Sequence, residues 1–221
     1  MFIKRIFDIL TSSIALIILS PLLLPIIILL RLTSEGEVFY FQERIGMYNK
    51  PFMIFKFATM LKNSSKMKGG YMTIKNDPRV TVMGRFLRKS KINELPQLLN
   101  IFLGHMSVVG PRPVMRVSFE SYPEKIQKVI YNVKPGLTGI GSIIFRDEEE
   151  LITNIKLSGG DPLEFYKNEI YPFKGELEIW YQKNKSFLLD LKLIFITAWV
   201  VFFSSSRIYE KLFSDLPKRN F

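Results

Sequence analysis

The sequence predicts an α+β chain: a small, mainly helical cytosolic domain with a short β-hairpin, anchored by an N-terminal re-entrant membrane helix and interfacial helices. Three observations carry this. Ile9 to Leu30 is a run of 22 residues without a charge, two aromatic-rich runs separated by a polar turn follow it, and much of the rest of the 221-residue chain shows helical spacing punctuated by Pro and Gly. The boundaries are expected at 1–33 for the membrane hairpin, 34–185 for the cytosolic domain, and 186–221 for a C-terminal interfacial amphipathic helix and tail.

The apolar run is preceded by Lys4 and Arg5 and followed by Arg31. As a straight helix it is long enough to span a hydrocarbon core of roughly 30 Å. No small-x-small site closes it, which argues against a removable signal peptide. Ser20-Pro21 interrupts the run near its middle, and Pro25 follows one turn later. Pro21 removes a backbone donor and crowds the carbonyl four residues back, favouring a kink and two half-helices of roughly ten residues, each rising about 15 Å. Half the bilayer thickness lets the segment enter and return to one face, and positive charge at both ends makes that face cytoplasmic. An ordinary kinked spanning helix is the alternative, since Ser or a neighbouring helix can satisfy the carbonyl that Pro frees.

Val38-Phe39-Tyr40-Phe41 and Phe52-Met53-Ile54-Phe55-Lys56-Phe57 flank the turn residues Gly46 to Lys50 and read as the β-hairpin. Residues 61–76, rich in Lys, Ser, Asn and Gly, form a mobile polar connection. From Glu35 to Lys91 there are twelve Lys/Arg against four Asp/Glu, so most of the formal net charge of +11 gathers here and favours anionic partners. Leu95, Leu98, Leu99 and Phe102 recur at helical spacing, with Asn93 as the expected N-cap, Pro96 in the first turn and Gly104 as the stop. Helical patterning around Ser121 to Val133 links two turn-rich segments, Gly110-Pro111-Arg112-Pro113 and Lys134 to Ser142. An acidic run, Asp147 to Glu150, precedes a helix ending near Lys185. Leu193 to Phe203 is too short to span and suits a helix lying in the membrane interface or against the core.

With no Cys and a single His, His105, disulfides, thiolate chemistry and a His-based metal cage are excluded. Chemistry must come from carboxylates, amides, hydroxyls, Lys/Arg, or a hard metal held by oxygen. Glu94 follows the expected cap, where a helix N-terminus stabilises an anion. Such a Glu is also ordinary electrostatic complementarity, but Arg88, Lys89 and Lys91 lie just before it and Arg112 just after the helix. Pro on both sides of Arg112 restricts its backbone and favours a preorganised phosphate clamp. Gly136 to Gly141 could present backbone N–H groups to phosphate, although such spacing alone is a weak signal. His105 reads as a capping histidine rather than a base. The basic segment lacks a recognition helix and sits beside a membrane anchor, so a nucleic-acid partner is not expected.

The string Lys91-Ile-Asn-Glu-Leu-Pro-Gln-Leu-Leu-Asn100, followed by Gly104-His-Met-Ser-Val-Val-Gly-Pro-Arg-Pro113, resembles the signature of the bacterial sugar transferases, monotopic polyprenyl-phosphate phosphoglycosyl transferases. The resemblance extends to the Ser20-Pro21 break, Phe41-Gln-Glu-Arg-Ile-Gly46, Lys56-Phe-Ala-Thr-Met60, Asp77-Pro-Arg79, Arg88, Lys134-Pro-Gly-Leu-Thr-Gly139 and Ser186-Phe-Leu-Leu-Asp190. It implies a catalytic 34–185 domain on the cytoplasmic face of the bacterial inner membrane. The implied reaction moves a phosphosugar from a UDP-sugar to undecaprenyl phosphate with Mg²⁺, releasing UMP and starting a surface glycan. By the resemblance, Glu94 and Asn93 are the catalytic pair and Glu94 is also the metal ligand. Arg88, Arg112 and Lys56 contact substrate phosphates, and Ser20 and Pro21 form the re-entrant break. Membrane lipid is a further partner, and the sequence leaves a homo-oligomer open.

Three departures bear on mechanism. Asn93 stands where the family pattern has the nucleophilic Asp, His105 replaces an Asp, and Ala58 replaces a basic residue. A neutral amide cannot attack phosphorus. Glu94 is then the nucleophile, or it assists direct attack by the lipid phosphate, or the chain is an inactive scaffold that binds anionic lipid.

Overall fold

A computed structural model describes the chain apart from residues 1, 34, 68–72, 74–75 and 204–205 and the side chain of Ser65. Much of the polar connection expected at 61–76 therefore lies outside the described residues. The chain divides into two compact units, residues 1–43 with 53–104, and residues 44–52 with 105–221.

The first unit opens with α1 (Phe2–Thr33), one helix that continues through Pro21 and Pro25 rather than separating into two half-helices. The local chemistry explains the continuity. Pro21 has no N–H for the carbonyl of Ile17, and the Ser20 hydroxyl donates to that carbonyl at 2.8 Å instead. The helix is long and apolar enough to cross a membrane, and little of its apolar stretch is buried. Its two ends are anchored. Near the start, Asp8 and Ser12 are buried and Arg5 donates to the carbonyls of Ile101 and Phe102 at 2.6 and 2.7 Å. Near the end, Ile26 and Leu30 join Phe57 and Leu87 in the unit's core.

β1 (Phe39–Ile45) and β2 (Pro51–Phe57) pair as the expected two-stranded sheet, and the tip joining them, residues 44–52, belongs to the second unit. After an isolated bridge between Met60 and Val80 comes α2 (Val82–Lys89). Its N-cap is Thr81, whose hydroxyl accepts from the Gly84 N–H at 2.9 Å. Gly84 is required there, because a Cβ would lie 2.1 Å from the Thr59 carbonyl oxygen. α3 (Gln97–Leu103) ends at Gly104, whose φ of 89° makes it the expected left-handed stop.

The second unit begins with β3 (Ser107–Val109), which pairs in parallel with β4 (Gly136–Thr138), Ser107 opposite Gly136 and Val109 opposite Thr138. Between them, α4 (Arg116–Glu120) precedes the window expected to be helical at 121–133, and within that window the helix is confined to α5 (Glu124–Gln127), with turns after it. α6 (Ile140–Ile144), α7 (Glu148–Leu157) and α8 (Pro162–Phe165) follow, and a π-turn at Tyr166–Ile170 leads into α9 (Tyr171–Asn184), which ends where the pattern predicts. α10 (Phe187–Phe202) is capped by Ser186, which accepts from the Leu189 N–H at 3.1 Å, and α11 (Ile208–Leu212) precedes the tail. One face of α10, with Leu189, Leu193, Ile196 and Val200, packs into the core formed with Ile140, Ile144, Leu177 and Trp180. The opposite face exposes Leu188, Phe195, Val201 and Phe202.

Candidate active site

In the first unit the chain reverses after α2 through Lys91, whose φ of 60° is a left-handed conformation that L-residues adopt at a cost. A 3₁₀ turn, Ile92–Glu94, follows and continues through Leu95 and Pro96 in right-handed conformation into α3. Asn93 therefore lies inside the turn and does not cap α3, contrary to the sequence expectation. Pro96 takes the cap position, and it has no side-chain donor or acceptor for that role. Asn93 is buried, and its Oδ1 has no hydrogen-bond partner among the described residues.

Glu94 comes to lie against Lys56, with Nζ 3.3 Å from Oε1 and both side chains largely shielded from solvent. The relationship rests on Asn100, a fully buried amide in α3. Its Nδ2 donates to the Met53 carbonyl at 2.8 Å and its Oδ1 accepts from the Phe55 N–H at 2.9 Å. The side chain thus replaces a neighbouring strand for β2 and fixes the strand just before Lys56. Asn100 closes the motif string, yet nothing in its residue type marks it as a strand clamp.

Arg88, half-buried in the last turn of α2, stands near a second ion pair. Asp77 and Arg79 are both buried, and the guanidinium meets the carboxylate through Nε at 3.0 Å and Nη2 at 2.7 Å. Hydrogen bonds from Arg79 outweigh burial and hold the Asp77 carboxyl below the ordinary carboxylate range, with Arg88 adding a smaller Coulombic contribution. The Arg79 N–H also donates to Asp77 Oδ1 at 2.9 Å, which tightens the turn feeding Thr81 and α2. The sequence carries the Asp77-Pro-Arg79 string without any spacing that marks it as a neighbour of Arg88.

Arg112 belongs to the second unit, where it is exposed between two buried prolines. The buried Tyr131 fixes its backbone. The phenol donates to the Arg112 carbonyl at 2.8 Å and accepts from the Val114 N–H at 3.1 Å, bracketing Pro113. The glycines that could have cradled phosphate serve close packing instead. A Cβ on Gly136 would lie 2.1 Å from Gly110 N, and one on Gly139 would lie 2.3 Å from Gly110 O. Gly110 N–H donates to Thr138 O and Gly136 N–H to Pro111 O, so these donors are already engaged.

In the same unit Glu178 is buried on α9, and burial pushes its carboxyl up to about 8, partly offset by Lys174. His105 is exposed, with its ring 6.3 Å from that of Phe52.

The arrangement in the first unit, a shielded carboxylate beside an ammonium group on a braced strand, suits reaction at an anionic centre. The family profile described as bacterial sugar transferase matches residues 1–204. The chain is 39% identical over 208 residues to a UDP-glucose:undecaprenyl-phosphate glucose-1-phosphate transferase of Klebsiella pneumoniae, covering 92% of this chain and 41% of that protein. It is 41% identical over 167 residues to the exopolysaccharide production protein ExoY of Rhizobium meliloti (strain 1021), covering 69% and 73%. It is 33% identical over 215 residues to an undecaprenyl-phosphate galactose phosphotransferase of Salmonella typhimurium, covering 90% and 40%. The chain thus spans about two fifths of the length of the first and third of these relatives. With the profile matched over nearly its whole length, the chain belongs to the bacterial sugar transferase family.

Proposed function

We propose that the chain transfers a phosphosugar from a UDP-sugar to undecaprenyl phosphate and releases UMP, as the initiating step of an O-antigen, capsule or exopolysaccharide. The observation that carries this reading is the Glu94–Lys56 pair, in a chain related to proteins named for UDP-glucose and undecaprenyl-phosphate chemistry. Glu94 carries the reaction. Its carboxylate attacks the sugar-bearing phosphorus, the bond from that phosphorus to the bridging oxygen breaks, and UMP leaves with the electron pair. An oxygen of undecaprenyl phosphate then attacks the same phosphorus and returns the Glu94 carboxylate. Lys56, Arg88 and Arg112 offset charge on the diphosphate as it departs.

Magnesium takes one or two carboxylates and completes its shell with substrate phosphates and water. The sparse oxygen set here fits that habit, since Glu94 and the unpartnered Asn93 Oδ1 are adjacent in sequence. The cation would neutralise diphosphate charge, and Glu94 would hold it.

The two ends of α1 support a re-entrant anchor on the cytoplasmic face. Arg5 is bound to α3, and Ile26 and Leu30 pack with Phe57 and Leu87 of the same unit. A straight helix of this length would rise about 48 Å, so an anchor tied to one folded unit at both ends is most simply held by a path that returns. The exposed face of α10 supports interfacial contact. Asn93, an amide where the resemblance expects the nucleophile, favours one other reading, an inactive scaffold that binds anionic lipid.

Purified protein with undecaprenyl phosphate, Mg²⁺ and a panel of UDP-sugars separates the two. UMP release with one donor supports the transferase, and no release with any donor supports the scaffold. Intact-protein mass spectrometry with donor alone reports a phosphosugar adduct if Glu94 is the nucleophile. An active enzyme without the adduct transfers directly, with Glu94 assisting.

A further inference from the structure

A groove of about 410 Å³ lies along the C-terminal end of α1, lined by Ile27, Ile28, Arg31, Leu32, Val38 and Phe39. That volume is in the range of small-molecule sites. Five of its six lining residues are apolar. Its inner wall is continuous with the strands that carry the candidate site. Val38 O accepts from the Ala58 N–H at 2.9 Å, the ring of Phe39 stacks on Phe57 at 5.6 Å, and Ile27 and Val38 pack against the cluster of Ile26, Leu30, Phe57 and Leu87. Phe57 is the residue after Lys56, which meets Glu94.

The one polar residue of the groove is a cation. Arg31 Nη1 donates to the Gly36 carbonyl at 2.6 Å, which pins the guanidinium in place. Among the described residues no other partner holds the Arg31 guanidinium, and its remaining N–H groups can meet an anion. An apolar trough with one fixed cation complements an amphiphile that has a hydrocarbon chain and an anionic head.

We infer that this groove seats the first isoprene units of the polyprenyl phosphate acceptor, with Arg31 complementing its phosphate end. The inference rests on the proposed transferase reading and adds where the acceptor's chain lies. A bulk anionic phospholipid shares the general chemistry, but the groove adjoins the strand bearing Lys56, and only the acceptor has its phosphate consumed there.

The test is photo-crosslinking of the full chain in phosphatidylcholine nanodiscs with a diazirine-bearing polyprenyl phosphate, mapped by peptide mass spectrometry. Adducts within 27–39 are expected, suppressed about tenfold by excess undecaprenyl phosphate and little by the same concentration of phosphatidylglycerol. Adducts elsewhere, or equal suppression by both lipids, overturn the inference. This readout needs no turnover, so it stands apart from a failure to release UMP. In an active preparation, Ile28→Trp should fill the trough and lower the preference for an eleven-isoprene over a two-isoprene acceptor by about tenfold, the scale of hydrophobic-pocket discrimination. An unchanged preference also overturns it. A far-UV circular dichroism spectrum and thermal midpoint of Ile28→Trp near wild type show that a loss inside that window is not a loss of the fold.

Discussion

Lys56 Nζ stands 3.3 Å from Glu94 Oε1, although 38 residues separate the two in sequence. The pairing depends on Asn100, which grips the backbone of β2 at Met53 and Phe55 and so sets where Lys56 emerges. A hydrogen bond to a charged group is worth about 1.5–3 kcal/mol. Lys56→Met should therefore lower kcat/KM for UMP release by about 10- to 100-fold. Glu94→Gln should abolish turnover while circular dichroism and thermal midpoint stay near wild type. Wild-type rates in Glu94→Gln would falsify the assignment of Glu94.

Asn93→Asp restores the carboxylate that the resemblance expects and should retain or raise activity. It should also cost stability, because the side chain is buried and its Oδ1 lacks a partner. Burial raises the folded pKa of such an Asp above its unfolded value. The variant is then closest to wild type below about pH 4, and the gap widens as pH rises toward the folded pKa. Thermal midpoints of both proteins from pH 4 to 8 check the sign. A variant as stable as wild type at pH 8 would mean that a cation compensates the new charge.

The proposed returning path of α1 depends on Pro21 and Pro25. Cysteine-accessibility labelling suits a chain with no Cys, and a Cys placed before Ile9 should be protected from a periplasmic reagent, as should one after Arg31. Changing both prolines to Leu restores the missing backbone donors and should straighten the helix, exposing the N-terminal Cys to the periplasm. Periplasmic labelling of the unaltered helix at its N-terminus would remove the returning path.

What was legible in the sequence follows from which forces are local. The hairpin, the Gly104 stop and the end of α9 each rest on periodicity or on a residue's own backbone preference. Asn93 was misplaced because its cap-like residue type carried no sign of the left-handed Lys91 before it, which opens a separate 3₁₀ turn. The reach of Asn100 to β2 spans 45 and 47 residues, that of Tyr131 to the two sides of Pro113 spans 17 and 19, and neither has a signature in spacing. The glycines near Arg112 suggested a phosphate cradle, whereas their role became visible only when two backbones were seen to touch.

Tyr131 positions Arg112 through the backbone and should be separable from it. Tyr131→Phe removes the donor to Arg112 O and the acceptor for Val114 N while keeping the ring in its core. Leaving such groups unsatisfied costs about 1–3 kcal/mol, so the thermal midpoint should fall and kcat/KM should drop. Arg112→Ala should cost about 2–4 kcal/mol in transition-state binding, by analogy with a removed oxyanion donor. If Tyr131 acts through Arg112, the double variant is no slower than Arg112→Ala alone. Additive losses would show that the tyrosine has a separate role.

Glu178 gives the second unit a pH dependence that the reaction does not explain. The carboxyl is buried beside Gly141, where a Cβ would lie 2.9 Å from Oε1, and burial pushes its pKa up to about 8. The folded chain keeps this proton at pH values where the unfolded chain has released it. Its contribution to stability is fully present below the unfolded pKa, declines as pH rises above it at roughly 1 kcal/mol per pH unit, and is lost by about pH 8. Glu178→Gln retains the shape and cannot ionise, so its stability should not follow this decline. Between pH 5 and 8 the thermal midpoint of wild type should fall relative to the variant, and the variant should be the more stable protein at pH 8. Parallel profiles would place the Glu178 carboxylate in a solvated or paired environment. Since the group takes no part in the proposed transfer, the ratio of activities per folded molecule should stay constant across the same range.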